Sequence, residues 1–151
     1  MQKNFYASGF LYNLKTRQIL LLKPAQQDDS LTKWSMFGGE GQEGEDAPMA
    51  FGRIVKELLD LELKTKQICP VYDYFHEAMD KFNYVFYAEV KKPLDETKLN
   101  NLSWVTFQET LKLVFSSHTK QDVIVGERVI RLKERQIAEG LTAILNPVEV
   151  I

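Results

Sequence analysis

The sequence predicts a mixed α/β domain in which at least some strands pair antiparallel. Three observations carry that prediction. Apolar and aromatic runs of strand length alternate with polar turns. Two segments, one after a glycine-rich stretch and one near the end, carry a helical period. Between them, two aromatic strands are separated by only Glu77–Asp80, which is the spacing of a hairpin.

Taken in order, Asn4–Tyr12 reads as a strand, and Asn13–Arg17 turns into a second, Gln18–Lys23, ended by Pro24. Ala25–Ser30 is a polar loop, and Lys33–Phe37 a short strand. Gly38-Gly39-Glu40-Gly41-Gln42-Glu43-Gly44-Glu45 follows. Four glycines so close together predict a loop of unusual dihedrals or close ligand approach. Asp46 is the expected N-cap, and Pro48 the first-turn proline, of a helix carrying its period over Met49–Leu61. On that helix Phe51, Ile54, Val55, Leu58, Leu59 and Leu61 share one side, and Arg53, Lys56, Glu57 and Asp60 the other. Strands are expected over Lys66–His76 and Lys81–Val90. Lys91–Asn101 is a polar connection and Leu102–Thr106 a short strand. Thr106 with Glu109 makes a capping box for a helix through Phe115. Val123–Ile137 is the last helix, with Ile124, Val125, Val129, Ile130 and Leu132 suited to the core and Gly140 as its stop.

The composition sets bounds. The 151 residues fit a single domain over 1–151, with an apolar share of 44% and a charged share of 26%. Nineteen basic against twenty-one acidic residues leave a net charge of −2, which supports neither a nucleic-acid nor a membrane role. No apolar run approaches the roughly 20 residues needed to span a bilayer. Cys69, the single cysteine, cannot make an internal disulfide and reads as a small core residue. Met1-Gln2-Lys3-Asn4-Phe5 shows no signal-peptide pattern, so a cytoplasmic location is expected.

The segment Gly39–Leu61 resembles the signature of the Nudix hydrolases. That signature runs Gly, five residues, Glu, seven residues, Arg-Glu, apolar, any residue, Glu-Glu, any residue, Gly, apolar. Gly39, Glu45, Arg53, Val55, Glu57 and Leu61 stand at matching positions with the spacing intact. Trp34-Ser35-Met36-Phe37-Gly38-Gly39 is similar to the family's approach, with Phe37 where proline is common. Leu20-Leu21-Leu22-Lys23 and Leu102-Ser103-Trp104-Val105 fall where such domains have comparable segments. The departures are Ile54 and Leu58 where the family places glutamates, and Asp60 where it places glycine.

The resemblance implies an α/β/α sandwich with a mixed sheet and a metal-assisted pyrophosphohydrolase of MutT type. It assigns Glu57, Arg53 and Glu45 to catalysis, and Glu57, Glu45 and the carbonyl of Gly38 to a Mg²⁺ or Mn²⁺ ion. With Ile54 and Leu58 flanking Glu57 on the side that turns toward the core, one carboxylate remains beside two hydrophobes, so the cation is bound weakly if at all. The expected substrate is a nucleoside diphosphate linked to another group, approached by Gly38, Gly39 and Lys23, with Lys33 a further phosphate partner. Glu40, Glu43, His118 and Asp122 are candidate stand-ins for the missing acids, His118 and Asp122 at the Ser116–Gln121 connection. The aromatic hairpin of Tyr72, Tyr74, Phe75, His76, Phe82, Tyr84, Phe86 and Tyr87 favours core packing or a homodimer surface over base stacking. Three functions follow in order of preference: a hydrolase of reduced or altered activity, a nucleotide-binding module without turnover, and a partner-binding protein.

Overall fold

A computed structural model of the chain describes residues 4–24, 33–91 and 101–145, the last five by their backbone alone. The expected loop at Ala25–Ser30 and most of the Lys91–Asn101 connection lie outside the described residues. A six-stranded mixed sheet is sandwiched between two helices. Its strands are β1 (Phe5–Asn13), β2 (Gln18–Leu22), β3 (Phe37–Glu40), β4 (Ile68–His76), β5 (Lys81–Glu89) and β6 (Leu102–Thr106), in the order β4-β5-β1-β2-β6. The central strand β1 pairs with β5 in parallel along one edge. Along its other edge it pairs antiparallel with β3 through Tyr6–Gly9 and with β2 through Leu11–Asn13.

The pleat of β1 explains the two layers. Ala7 and Leu11 face one way, toward α1 (Ala47–Leu59), where Ala50, Phe51, Ile54, Val55 and Leu59 close a first core with Leu20, Phe37 and Phe86. Phe10 and Tyr12 face the other way and join Ile19, Leu21, Val85, Tyr87 and Val105 in a second core, covered by Val123 and Ile130 of α3 (Ser117–Leu145). Each fully buried side chain of this size is worth about 1.5–3 kcal/mol against exposure. Cys69 packs half-buried against the second core, as its surroundings in the sequence suggest.

Five expectations are corrected by the structure. Gly38, Gly39 and Glu40 are strand, not loop, because they pair with Ser8, Ala7 and Tyr6; only Gly44 in that stretch has a positive φ, 85°. The helix after Thr106 stops at Thr110, giving a short α2 (Phe107–Thr110). The capping box forms as expected, but the chain then turns back so that Val114 accepts from the Trp34 N–H at 2.9 Å and Phe115 bridges Trp34. The last helix is longer than its apolar period, beginning at Ser117 and running through Gly140, so His118 and Asp122 are helical. Its inward face is set by Gly126, where a Cβ would lie 2.8 Å from the Phe10 ring; that contact rotates Ile124 and Leu132 outward, and both are exposed. Leu58 also lies outside the core, 48% exposed, whereas Ile54 is 4% exposed. Among the described residues no helix is long and apolar enough to cross a membrane.

Candidate active site

The glycine-rich segment and α1 are joined by one side chain. Asp46 caps the helix, its carboxylate accepting the Met49 N–H at 2.9 Å, which starts α1 beside the end of β3. About two turns later, Arg53 points back across that junction. Its Nε donates to Glu45 Oε2 at 2.7 Å, one terminal nitrogen to Glu57 Oε1 at 3.2 Å and the other to the Glu40 carbonyl at 2.8 Å. Helix, loop and strand are thereby fixed to one planar cation.

The three acids differ in what is left to them. The second oxygen of Glu45 accepts the Gln42 N–H at 2.9 Å, so both of its oxygens are engaged. Enclosure pushes the Glu45 carboxyl up, but the Arg53 and Gln42 hydrogen bonds and the guanidinium charge prevail, holding it below the usual glutamate range. The Arg53 guanidinium is correspondingly raised, chiefly by Glu45. The Glu57 side chain is 60% exposed, with one oxygen on Arg53 and the other without a partner among the described residues. Glu40 turns its carboxylate to Lys81 of β5 and uses only its carbonyl here.

Strand alternation decides where the Gly38 carbonyl goes. Gly41 donates to the Phe5 carbonyl, so Phe5–Gly41, Ala7–Gly39 and Gly9–Phe37 are the hydrogen-bonded pairs of the β1–β3 ladder. Gly38 and Glu40 belong to the other set, whose carbonyls point away from β1; Glu40 uses its own for Arg53. The Gly38 carbonyl is therefore aimed outward along the same edge. Gly39 lacks a side chain for a packing reason. A Cβ there would stand 3.0 Å from Ile54 Cδ1, so the glycine lets α1 settle on β3 through Ile54. At the end of α1, Asp60 takes the left-handed conformation (φ 53°, ψ 34°) that suits glycine, the residue the resemblance puts there. Lys23 is exposed at the end of β2 and is not among the residues Arg53 gathers.

A second constellation occupies the opposite face of the sheet, beside Gly38. Asp122, 2% exposed, accepts hydrogen bonds from Tyr72 at 2.7 Å and Tyr74 at 3.2 Å. The network continues through Asn83, which donates to Tyr74 at 3.2 Å and accepts from Ser8 at 2.9 Å. The Tyr74 ring stacks on His118, and the Tyr6 ring lies over Gly38. Burial pushes the Asp122 carboxyl up, while the tyrosine hydroxyls and neighbouring imidazoles pull it down; the net direction is upward. Burial, partly relieved by Asn83, raises Tyr74 to about 12. His118 and Asp122 were legible as candidates. Ser8 and Asn83 were not, since a lone serine and asparagine in apolar strands carry no signal until the register sets them together.

Among the described residues no three His, Cys, Asp or Glu side chains converge as a metal cage. The exposed carboxylate of Glu57 and the outward carbonyl of Gly38 are oxygen donors of the kind a single hard cation takes, and they are too few for a cluster of ions.

A family model described as NUDIX domain matches residues 4–124. The chain belongs to this family. Among solved structures, this Nudix domain is similar to a mutT/nudix family protein from Listeria innocua, with 16% identity, 91% of this chain and 99% of that one covered, and a TM-score of 0.64. It is similar to the C. elegans Ap4A hydrolase, with 20% identity, 83% and 96% coverage and a TM-score of 0.61. It is also similar to the C-terminal domain of mouse MUTYH, solved with human PCNA, with 12% identity, 86% and 91% coverage and a TM-score of 0.65. At these identities the likeness establishes the fold. No curated protein matches the chain.

Proposed function

We propose that this Nudix domain hydrolyses a nucleoside diphosphate linked to another group, at a rate reduced by the loss of two carboxylates. The observation that carries the reading is the Arg53 brace, which ties Glu57 to Glu45 and to the Glu40 carbonyl at the end of β3 although Ile54 and Leu58 are apolar. In this reading Gly38 and Gly39 line the approach of the phosphates, and Lys23 meets them from the end of β2. Arg53 orients Glu57, and Glu45 serves by holding Arg53, since ligating a metal would cost it the guanidinium or the Gln42 N–H. Mg²⁺ or Mn²⁺ held by Glu57 and the Gly38 carbonyl would neutralise the pyrophosphate and acidify a bound water.

A second reading, recognition without turnover, is favoured by Ile54. Its side chain fills the face beneath Gly39, where the family's signature has a glutamate. One experiment separates them. The chain is incubated at length with nucleoside diphosphate derivatives and Ap4A, the compound named for the C. elegans neighbour, with Mg²⁺ or Mn²⁺, and products are analysed beside thermal shifts. Cleavage that disappears in Glu57→Gln supports the enzyme. Intact ligand with a thermal shift supports the binding module, and neither result across the panel removes both.

A further inference from the structure

Two imidazoles join elements that are distant in the chain. His76 ends β4 at the base of the Glu77–Asp80 turn, and His118 lies in the first turn of α3; their ring centroids are 3.9 Å apart. Tyr74 stacks on His118 at 5.6 Å, the planes within 7°. His76 is also bound to its own turn, because its Nδ1 accepts the Met79 N–H at 3.3 Å. An imidazole can accept there only with a lone pair on Nδ1, so this bond belongs to the neutral ring with its proton on Nε2. Near the pair, Asp122 is the buried carboxylate that feels the charge of both rings.

We propose that the His76–His118 contact is a proton-operated latch, holding the β4–β5 hairpin against α3 at neutral pH and releasing it in acid. A first proton on either ring faces the Asp122 carboxylate. A second proton places two like charges across 3.9 Å and turns His76 Nδ1 from an acceptor into a donor facing the Met79 N–H. The other groups nearby do not cancel that repulsion. Lys81, opposite His76 in the ladder, is positive and bound to Glu40 of β3; Lys120 on α3 is positive; Glu77, next to His76, is in the turn; and Tyr72, Tyr74, Asn83 and Ser8 are neutral. Release would uncover the Tyr74–Asn83–Asp122 face, so the latch would couple acidification to access beside Gly38.

The test follows the backbone amide of Met79, the ring of Tyr74 and both imidazoles by NMR from pH 8 to pH 5, either side of the imidazole range. Thermal unfolding is measured at the same pH values for the unmodified chain, His118→Gln and His76→Asn. The latch requires the Met79 and Tyr74 signals to move together with the imidazoles. It also requires the acid-induced fall in Tm to shrink by about half or more in His118→Gln. His76→Asn, whose amide oxygen can accept the Met79 N–H, should shrink it likewise. A Met79 amide indifferent to imidazole protonation overturns the proposal, as does the same acid-induced fall in all three proteins. Should a variant fail to fold, the Met79 response of the unmodified chain decides alone.

Discussion

Arg53 shows how much of this site rests on a single guanidinium. Its Nε bond to Glu45 lies in a largely enclosed setting, with the arginine side chain 22% exposed, whereas its arm to Glu57 ends on an open surface. The enclosed arm and the bond to the Glu40 carbonyl dominate its worth, since exposed pairs contribute little. Arg53→Ala should therefore destabilise the fold by about 1.5–3 kcal/mol, read as a lower urea midpoint with unchanged slope. Arg53→Lys should recover only part, because an ammonium cannot serve three acceptors in one plane. Glu45 makes the same brace visible to pH. Its carboxyl lies below the ordinary 4.5 when folded, so the folded chain holds fewer protons than the unfolded one in that range. The stability it contributes is complete above 4.5 and disappears as pH falls through the lower, folded value. Urea midpoints taken downward from pH 5 should fall more steeply for the unmodified chain than for Glu45→Gln; parallel curves would show that Glu45 is not held as described.

At the level of elements, α1 separates two positions that the sequence treats as equivalent. Ile54 and Leu58 both replace a glutamate of the family signature and, being four residues apart, share a side of the helix. The structure buries the first beneath Gly39 and leaves the second half exposed. Leu58→Glu should thus fold with a change within about 0.5 kcal/mol, whereas Ile54→Glu places an unpaired carboxylate in the core at a cost of several kcal/mol. Thermal melts of the two single variants check this, and near-equal losses would mean that α1 is rotated relative to this description. Much of the fold was legible in the same local way. The Asp46 cap, the Thr106–Glu109 box and the Glu77–Asp80 hairpin turn are written in neighbouring residues and appear where expected. What was not legible depends on register between distant strands. Gly38 and Gly39 look like loop until Ser8 and Ala7 are found opposite them, and the phase of α3 is decided by the Phe10 ring against Gly126 rather than by its apolar period. In the candidate site the motif spacing singled out Arg53, Glu45 and Glu57, which the fold brings into contact, but the Ser8–Asn83–Tyr74–Asp122 network needed β1, β5, β4 and α3 in place.

For the molecule as a whole, two apolar cores and the Arg53 brace join the layers, so the cation invoked for catalysis is not expected to hold them together. Treatment with a chelator should leave the melting temperature unchanged within error. Excess Mn²⁺ should raise it slightly at most, since a ligand stabilises only in proportion to its binding. A large fall on chelation would mean that a metal holds the fold together. The parallel pairing of β1 with β5 has a different consequence, for synthesis. β1 leaves the ribosome before the other strands, carrying Ala7, Phe10, Leu11 and Tyr12, all destined for burial, and its antiparallel partners β2 and β3 follow soon after. The strand that completes it begins only at Lys81, so one whole edge of the central strand stays open while the intervening residues are made. For that interval the nascent chain presents an apolar, unpaired edge to its surroundings, which makes the order of translation a hazard this fold must survive with the help of whatever shields nascent strands.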